Sequence, residues 1–157
     1  MTNIKQLGEF LIKAKKSGYA AGDKVKKIKE KDKSKSIIFK DVDWKYHDNY
    51  FGGKPFGGQE VVFLKNQPVY MMVYYGSVNK SIKDYKKVYK LLRDALILIS
   101  KDKPFRGPQK YKQGDYIYIN KSKGKIDNFS GTEIITIKGR KIYGAKYAGG
   151  LVDQLKG

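Results

Sequence analysis

A stretch of 21 residues that occurs twice limits what this chain can fold into. Residues 56–76 read FGGQEVVFLKNQPVYMMVYYG, and 73 residues later 129–149 read FSGTEIITIKGRKIYGAKYAG. Seven positions are identical: Phe56/Phe129, Gly58/Gly131, Glu60/Glu133, Lys65/Lys138, Tyr70/Tyr143, Tyr74/Tyr147 and Gly76/Gly149. Val61, Val62 and Val69 become Ile134, Ile135 and Ile142, so the apolar character persists. A fixed period of this kind predicts a repeated structural unit. Lys65-Asn66 and Lys138-Gly139 fall mid-segment, and Asn and Gly accept the positive φ of tight hairpin turns. Each copy is therefore expected to be a β-hairpin.

The repeat begins upstream of the hairpin. Asp43-Trp44-Lys45-Tyr46 alternates, placing both aromatics on one face, and Asp115-Tyr116-Ile117-Tyr118 echoes it at offset 72. Residues 47–58 carry four glycines, a proline and three aromatics from Tyr50 on, which mark a shaped loop. In front, Ile4, Leu7, Leu11 and Ala14 recur at helical spacing, with Asn3 able to cap and Gly18 able to stop. Between the hairpins, Tyr85, Val88, Leu92, Ala95 and Ile99 form a second helical stripe, capped by Ser81 or Asp84. The order is α-β-β-β, then α-β-β-β. It predicts an α+β fold: a duplicated α-β-β-β unit whose antiparallel sheet carries two main helices. One domain of two repeats, about 3–76 and 84–150, accounts for the length. In 69–75 both faces are apolar, so that strand is expected to be central and buried on both sides. Residues 23–36 are nearly all Lys, Glu, Asp and Ser and read as a mobile Lys-rich loop. Residues 101–112 read as a connector, and 149–157 as a tail too short for a third long helix.

Composition adds a sign. There are 34 Lys and Arg against 15 Asp and Glu, a net charge of +19. Such a field attracts polyanions, nucleic acid first among them. Yet only Arg93, Arg106 and Arg140 are arginines, and Arg is the usual instrument of bidentate phosphate contacts. A Lys, Ile, Asn and Tyr bias can equally come from genome composition. The chain lacks cysteine, a signal-peptide core and an apolar run near the ~18 residues of a membrane span, so a cytoplasmic protein with no membrane contact, monomer or homodimer, is expected. No cofactor motif and no metal-ligand spacing is present, and His47 is the single histidine.

Tyr50-Phe51-Gly52, Phe56-x-Gly58-x-Glu60-x-Val62, Tyr74-Tyr75-Gly76 and Pro104-Phe105-Arg106-Gly107-Pro108, in that order, form a combined pattern. The chain thereby resembles an uncharacterised prokaryotic domain family, found as short stand-alone proteins and sometimes behind a helix-turn-helix repressor domain. The resemblance covers nearly the whole chain. It implies no established activity; attachment to a repressor implies a sensing or regulatory role.

Three functional readings follow. In the first, a non-enzymatic module binds nucleic acid or another polyanion through Lys13, Lys15, Lys16, Lys26, Lys27, Lys29, Arg106, Lys110 and Lys112. Lys13, Lys15 and Lys16 also suit a helix dipole without any ligand. In the second, a small-molecule-sensing domain holds its ligand between sheet and helices, lined by Tyr50, Phe51, Phe56, Tyr74 and Arg106. In the third, a small enzyme uses Asp48 and Glu60 for acid–base work. Against the third stands Glu133, the twin of Glu60: a residue repeated in both halves is explained by the fold, for instance by accepting N–H groups of the preceding glycine turn. Arg106, between prolines, either presents a guanidinium or pairs with an internal acid such as Asp48 or Glu60.

Overall fold

The computed structural model describes residues 2–153. Helix α1 (Ile4–Ser17) leads through a 3-10 turn at Tyr19–Lys24 into β1 (Ile28–Lys29), β2 (Lys35–Asp41), β3 (Trp44–Gly52), β4 (Phe56–Leu64) and β5 (Gln67–Val78). Helix α2 (Tyr85–Leu96) follows, then β6 (Lys110–Gln113), β7 (Tyr116–Lys125), β8 (Asn128–Ile137) and β9 (Arg140–Leu151). The strands make one antiparallel sheet in the order β1-β2-β3-β4-β5-β9-β8-β7-β6. The fold is thus mixed α and β, and dominated by sheet. Among the described residues no helix is long and apolar enough to cross a membrane.

The sheet order reads inward from both ends to β5 and β9, which pair in the middle. Tyr74 lies opposite Tyr147, its own counterpart in the sequence repeat. Asp48 faces Glu60 across β3 and β4, and Asn120 faces Glu133 across β7 and β8. Both hairpins shift register at matching places, after Val62 and after Ile135. Their tips have the expected positive φ at Lys65, Asn66, Lys138 and Gly139. Gly76 stays glycine because a Cβ there would sit 2.6 Å from the Ala145 Cβ and 2.9 Å from the Gly144 carbonyl oxygen on β9.

Local signals set the helix ends. Asn3 Oδ1 accepts from the N–H groups of Lys5 and Gln6 at 3.1 and 3.2 Å. Gly18 closes α1, and Asp84 Oδ1 caps α2 through the Lys87 N–H at 3.2 Å. Leu7, Phe10, Leu11 and Ala14 of α1 pack on Tyr46, Val62, Met72 and Tyr74. Val88, Leu91, Leu92 and Ala95 of α2 pack on Val78, Tyr118, Ile135 and Tyr143. Tyr74 and Val78 are four residues apart on β5 and so point to the same side. Both helices therefore cover one face. Each fully buried side chain of this size contributes about 1.5–3 kcal/mol.

Three expectations need correction. The β5 strand is central but not buried on both sides: Val73 and Tyr75 are 47% and 63% exposed on the face that neither helix covers. Residues 23–36 do not form a loop without structure. They finish the 3-10 turn and build β1, whose Ile28 and Lys29 pair with Ser36 and Lys35. The first half also has two strands more than the three expected, β1 and β2 ahead of β3, and the second half has one more, since β6 emerges from the connector to pair with β7. The tail expectation concerns residues 149–157; β9 runs to Leu151, and 154–157 lie outside the described residues.

Candidate ligand pocket

Glu60 and Glu133 hold equivalent places on β4 and β8, and both are buried. Their surroundings differ. The Glu133 carboxylate is fully satisfied. Arg106 donates to it twice, from Nε at 3.2 Å and Nη2 at 2.5 Å. The Tyr118 and Tyr143 hydroxyls each donate at 2.7 Å. Burial alone would raise the Glu133 carboxyl, but Arg106 and these hydrogen bonds outweigh it and hold the pKa below the ordinary value. Asn120 completes the cluster, accepting from Tyr147 at 2.6 Å and donating to the Gly107 carbonyl at 2.8 Å.

The first half has the same skeleton with different chemistry. Lys15 replaces Arg106: its Nζ lies 2.7 Å from Glu60 Oε2 and donates to the Phe105 carbonyl at 2.5 Å. Glu60 is thus met by a buried ammonium at ion-pair distance, where Glu133 receives two guanidinium and two phenol hydrogen bonds. The Tyr70 hydroxyl, counterpart of Tyr143, is unpartnered. Asp48 stands where the second half has Asn120. Its Oδ1 accepts from Tyr74 at 2.5 Å, just as Asn120 accepts from Tyr147. Burial, and next the neighbouring Glu60, push the Asp48 carboxyl up to about 7. Burial lowers the Lys15 ammonium against the opposing pull of Glu60.

This less satisfied cluster is the floor of a cavity of about 480 Å³, within the ~300–1,000 Å³ usual for small-molecule sites. Asp48, Glu60, Lys15 and Arg106 lie at its base, and Tyr46, Tyr50, Phe56, Tyr74 and Phe105 rise around them. The α2 side adds Tyr85, Tyr89, Leu92 and Arg93, and the 3-10 turn adds Tyr19 and Ala20. Two contacts hold the loop 53–55 against α2 and the turn before it: the Tyr89 hydroxyl donates to the Gly53 carbonyl, and Lys54 Nζ donates to the Ile82 carbonyl at 2.8 Å. Phe56 sits among Tyr74, Tyr89 and Tyr143, with ring centroids 6.0–6.3 Å apart. Lys27, Lys35 and Lys86 also line the cavity.

Chemically, the floor offers acceptor oxygens and one carboxyl that changes protonation near neutral pH. Such a group can bind a donor or exchange a proton with it. No group of three or more His, Cys, Asp or Glu able to hold a metal comes together among the described residues.

The sequence-based sites fare unevenly. Tyr50, Phe56, Tyr74 and Arg106 line the pocket as expected. Phe51 does not: strand alternation turns it to the opposite face of β3, where it is 49% exposed. Asp48 and Glu60 lie side by side and both face the cavity. Glu60 and Glu133 do not accept from a glycine turn; they meet Lys15 and Arg106. Arg106 pairs with an internal acid, but that acid is Glu133. Lys15 and Arg106 are both buried and committed to carboxylates, so neither serves as a surface phosphate contact. Lys13 is exposed and pairs with Asp41 at 3.0 Å. Lys16, Lys26, Lys27 and Lys29 are exposed near α1 and β1, whereas Lys110 and Lys112 are exposed on β6 at the other end of the sheet order.

Sequence reasoning missed Lys15, Tyr19, Tyr46 and Tyr89 as pocket residues. Tyr85 and Tyr89 are four apart on α2, which could have marked an aromatic face aimed at the loop 53–55. Nothing local marks Lys15, whose partner lies 45 residues on.

No curated protein and no solved structure matches the chain. A family model described as "Domain of unknown function (DUF5680)" matches residues 48–152, from Asp48 through the whole of β9. That span includes Glu60, Tyr74, Arg106 and Glu133 but leaves out α1, which supplies Lys15. The chain belongs to this DUF5680 family.

Proposed function

We propose that the chain is a non-enzymatic binding module with a regulatory role, taking a small molecule into the pocket between β3–β5, α2 and the 3-10 turn. One observation carries the reading. Of two matching buried carboxylate clusters, the one in the second half is fully hydrogen-bonded. The one in the first half opens into an aromatic cavity and carries the carboxyl of Asp48 where the other has the amide of Asn120. We take the two halves to be copies of one duplicated unit, so the second shows what the fold needs and the first what it keeps in addition.

The test is a thermal-shift and calorimetric screen of aromatic fragments bearing hydrogen-bond donors, repeated on Tyr89→Ala. Binding is expected for the parent, with a loss of about tenfold or more in the variant, the size of a removed aromatic contact. Fragments that bind both proteins equally would place the site elsewhere.

Surface binding of a polyanion is the second reading, favoured by the net charge of +19. Of its candidate lysines, Lys29 lies on the edge strand β1 and Lys110 and Lys112 on the opposite edge strand β6, where charged side chains also keep edge strands from pairing with other chains. Duplex and single-stranded nucleic acids titrated across a salt series decide it. Preference for one form with a slope worth several phosphates supports it; uniform release by roughly 0.15 M salt defeats it.

A further inference from the structure

The pocket has two chemically distinct ends. Its floor presents carboxyl oxygens from Asp48 and from Glu60. Its mouth presents Lys27, Lys35, Lys86 and Arg93, none of which makes an ion pair among the described residues. These cations crowd one another. Lys27 is lowered by burial and then by the charges of Arg93 and Lys35, with Asp23 opposing more weakly, and all three line the cavity. Tyr19 lies between two of them, with Lys27 Nζ 5.7 Å and Arg93 Cζ 5.9 Å from its ring centre. Lys35 Nζ is 6.0 Å from the Tyr50 ring centre. An anion at the mouth would relieve this repulsion, and charge-assisted bonds to it would be among the strongest available.

Between the two ends, Tyr50, Phe56, Tyr74 and Tyr89 supply ring surface for a flat body. The occupant must therefore be anionic at one end, planar in the middle and rich in N–H donors at the other. A simple organic cation meets the floor but is repelled by the mouth. A simple inorganic anion meets the mouth but leaves the floor unpaired. The geometry points to a mononucleotide: an amino-bearing base inserted between the tyrosines with its N–H groups on Glu60 and Asp48, and its phosphate among Lys27, Lys35, Lys86 and Arg93. This assignment rests on the small-molecule reading and names its ligand class.

Asp48 governs the floor. It is faced by Tyr74 from β5, Glu60 from β4, Lys15 from α1 and Arg106 from the connector. With Asp48 ionised, three carboxylates (Asp48, Glu60, Glu133) meet two cations (Lys15, Arg106), and the floor has one negative charge in excess. With Asp48 protonated the floor is balanced and gains an O–H donor. A base with an amino group beside a ring nitrogen can use either form, donating to oxygen in one and accepting from the O–H in the other.

Isothermal titration with the monophosphates of guanosine, adenosine, cytidine and uridine, the matching nucleosides, and inorganic phosphate tests this. At least one amino-bearing nucleotide is expected to bind more tightly than its nucleoside, and phosphate alone far more weakly than either. In the double variant Lys27→Gln/Lys86→Gln, both exposed positions, nucleotide affinity is expected to fall about tenfold or more while nucleoside affinity holds. Asp48→Asn, which copies the Asn120 arrangement and so spares the fold, is expected to weaken nucleoside and nucleotide alike. Nucleotides bound no better than inorganic phosphate, or bound independently of both variants, would overturn the assignment. If aromatic fragments bind with Tyr89 dependence while nucleotides do not, the ligand class falls and the pocket stands; if neither binds, both fall.

Discussion

Replacing Arg106 with alanine is expected to destabilise the protein by roughly 3–5 kcal/mol near neutral pH, because it leaves a buried carboxylate without its cation. Glu133 is completely buried and meets the guanidinium through two hydrogen bonds. Tyr118 and Tyr143 would still donate to it, but neutral hydroxyls do not balance a full charge at that depth. The variant should also respond to pH in a defined direction. In the parent, the Glu133 carboxyl lies below its ordinary 4.5, so its contribution is present above that value and lost as pH falls through the folded one. Without Arg106, burial is unopposed and the carboxyl rises instead. The penalty is then largest at neutral pH and shrinks as the solution approaches pH 4.5. Denaturant unfolding of both proteins between about pH 4 and 8 measures the gap. Arg106→Met combined with Glu133→Gln should recover most of the loss, since no unpaired charge remains. A cost below about 1 kcal/mol for Arg106→Ala would mean that the pair behaves like a surface ion pair.

Asp48→Asn should do the opposite and stabilise the protein above neutral pH. The folded Asp48 carboxyl titrates at about 7 against an ordinary 3.8, chiefly through burial and then through Glu60. Between those values the folded chain holds a proton that the unfolded chain has released. Stability from this site therefore falls as pH rises from about 4 to about 7, and stays low above. Three units at about 1.4 kcal/mol each put the full change on the order of 4 kcal/mol. Asparagine keeps the acceptor for the Tyr74 hydroxyl, as Asn120 does for Tyr147, and carries no charge. The difference between variant and parent should be near zero at about pH 4 and grow to a maximum near pH 8. Parallel stability curves across that range would show that Asp48 ionises freely in the folded state.

The helix ends and hairpin turns were legible because their signals are short-range. Asn3 and Gly18 bounded the first helix, and Asp84 capped the second. Lys65-Asn66 and Lys138-Gly139 placed both turns, since tight turns demand particular φ values at two residues. Much of the pocket wall was legible too: Tyr50, Phe56 and Tyr74 were singled out as aromatics near a shaped loop. Phe51 was misplaced because a run of adjacent aromatics does not reveal which of them faces inward; alternation decides only once the register is known.

Packing and partner choice were decided in three dimensions. Both faces of β5 are apolar in sequence, yet both helices chose the same side, and Val73 and Tyr75 were left exposed. Lys15 looked like a dipole-compensating lysine, but α1 docks so that it reaches Glu60, 45 residues away, rather than solvent. The sequence reading offered Asp48 or Glu60 as internal partners for Arg106, and in the fold it meets Glu133 of β8 instead. The acidity of Asp48 has the same origin: an identical aspartate in water would titrate near 4, and it is the dry interior beside Glu60 that moves it to about 7. Backbone preferences act within a turn of chain and can be read from neighbours. Desolvation and charge pairing depend on what the rest of the chain brings to the same few ångströms, and only the folded sheet supplies that.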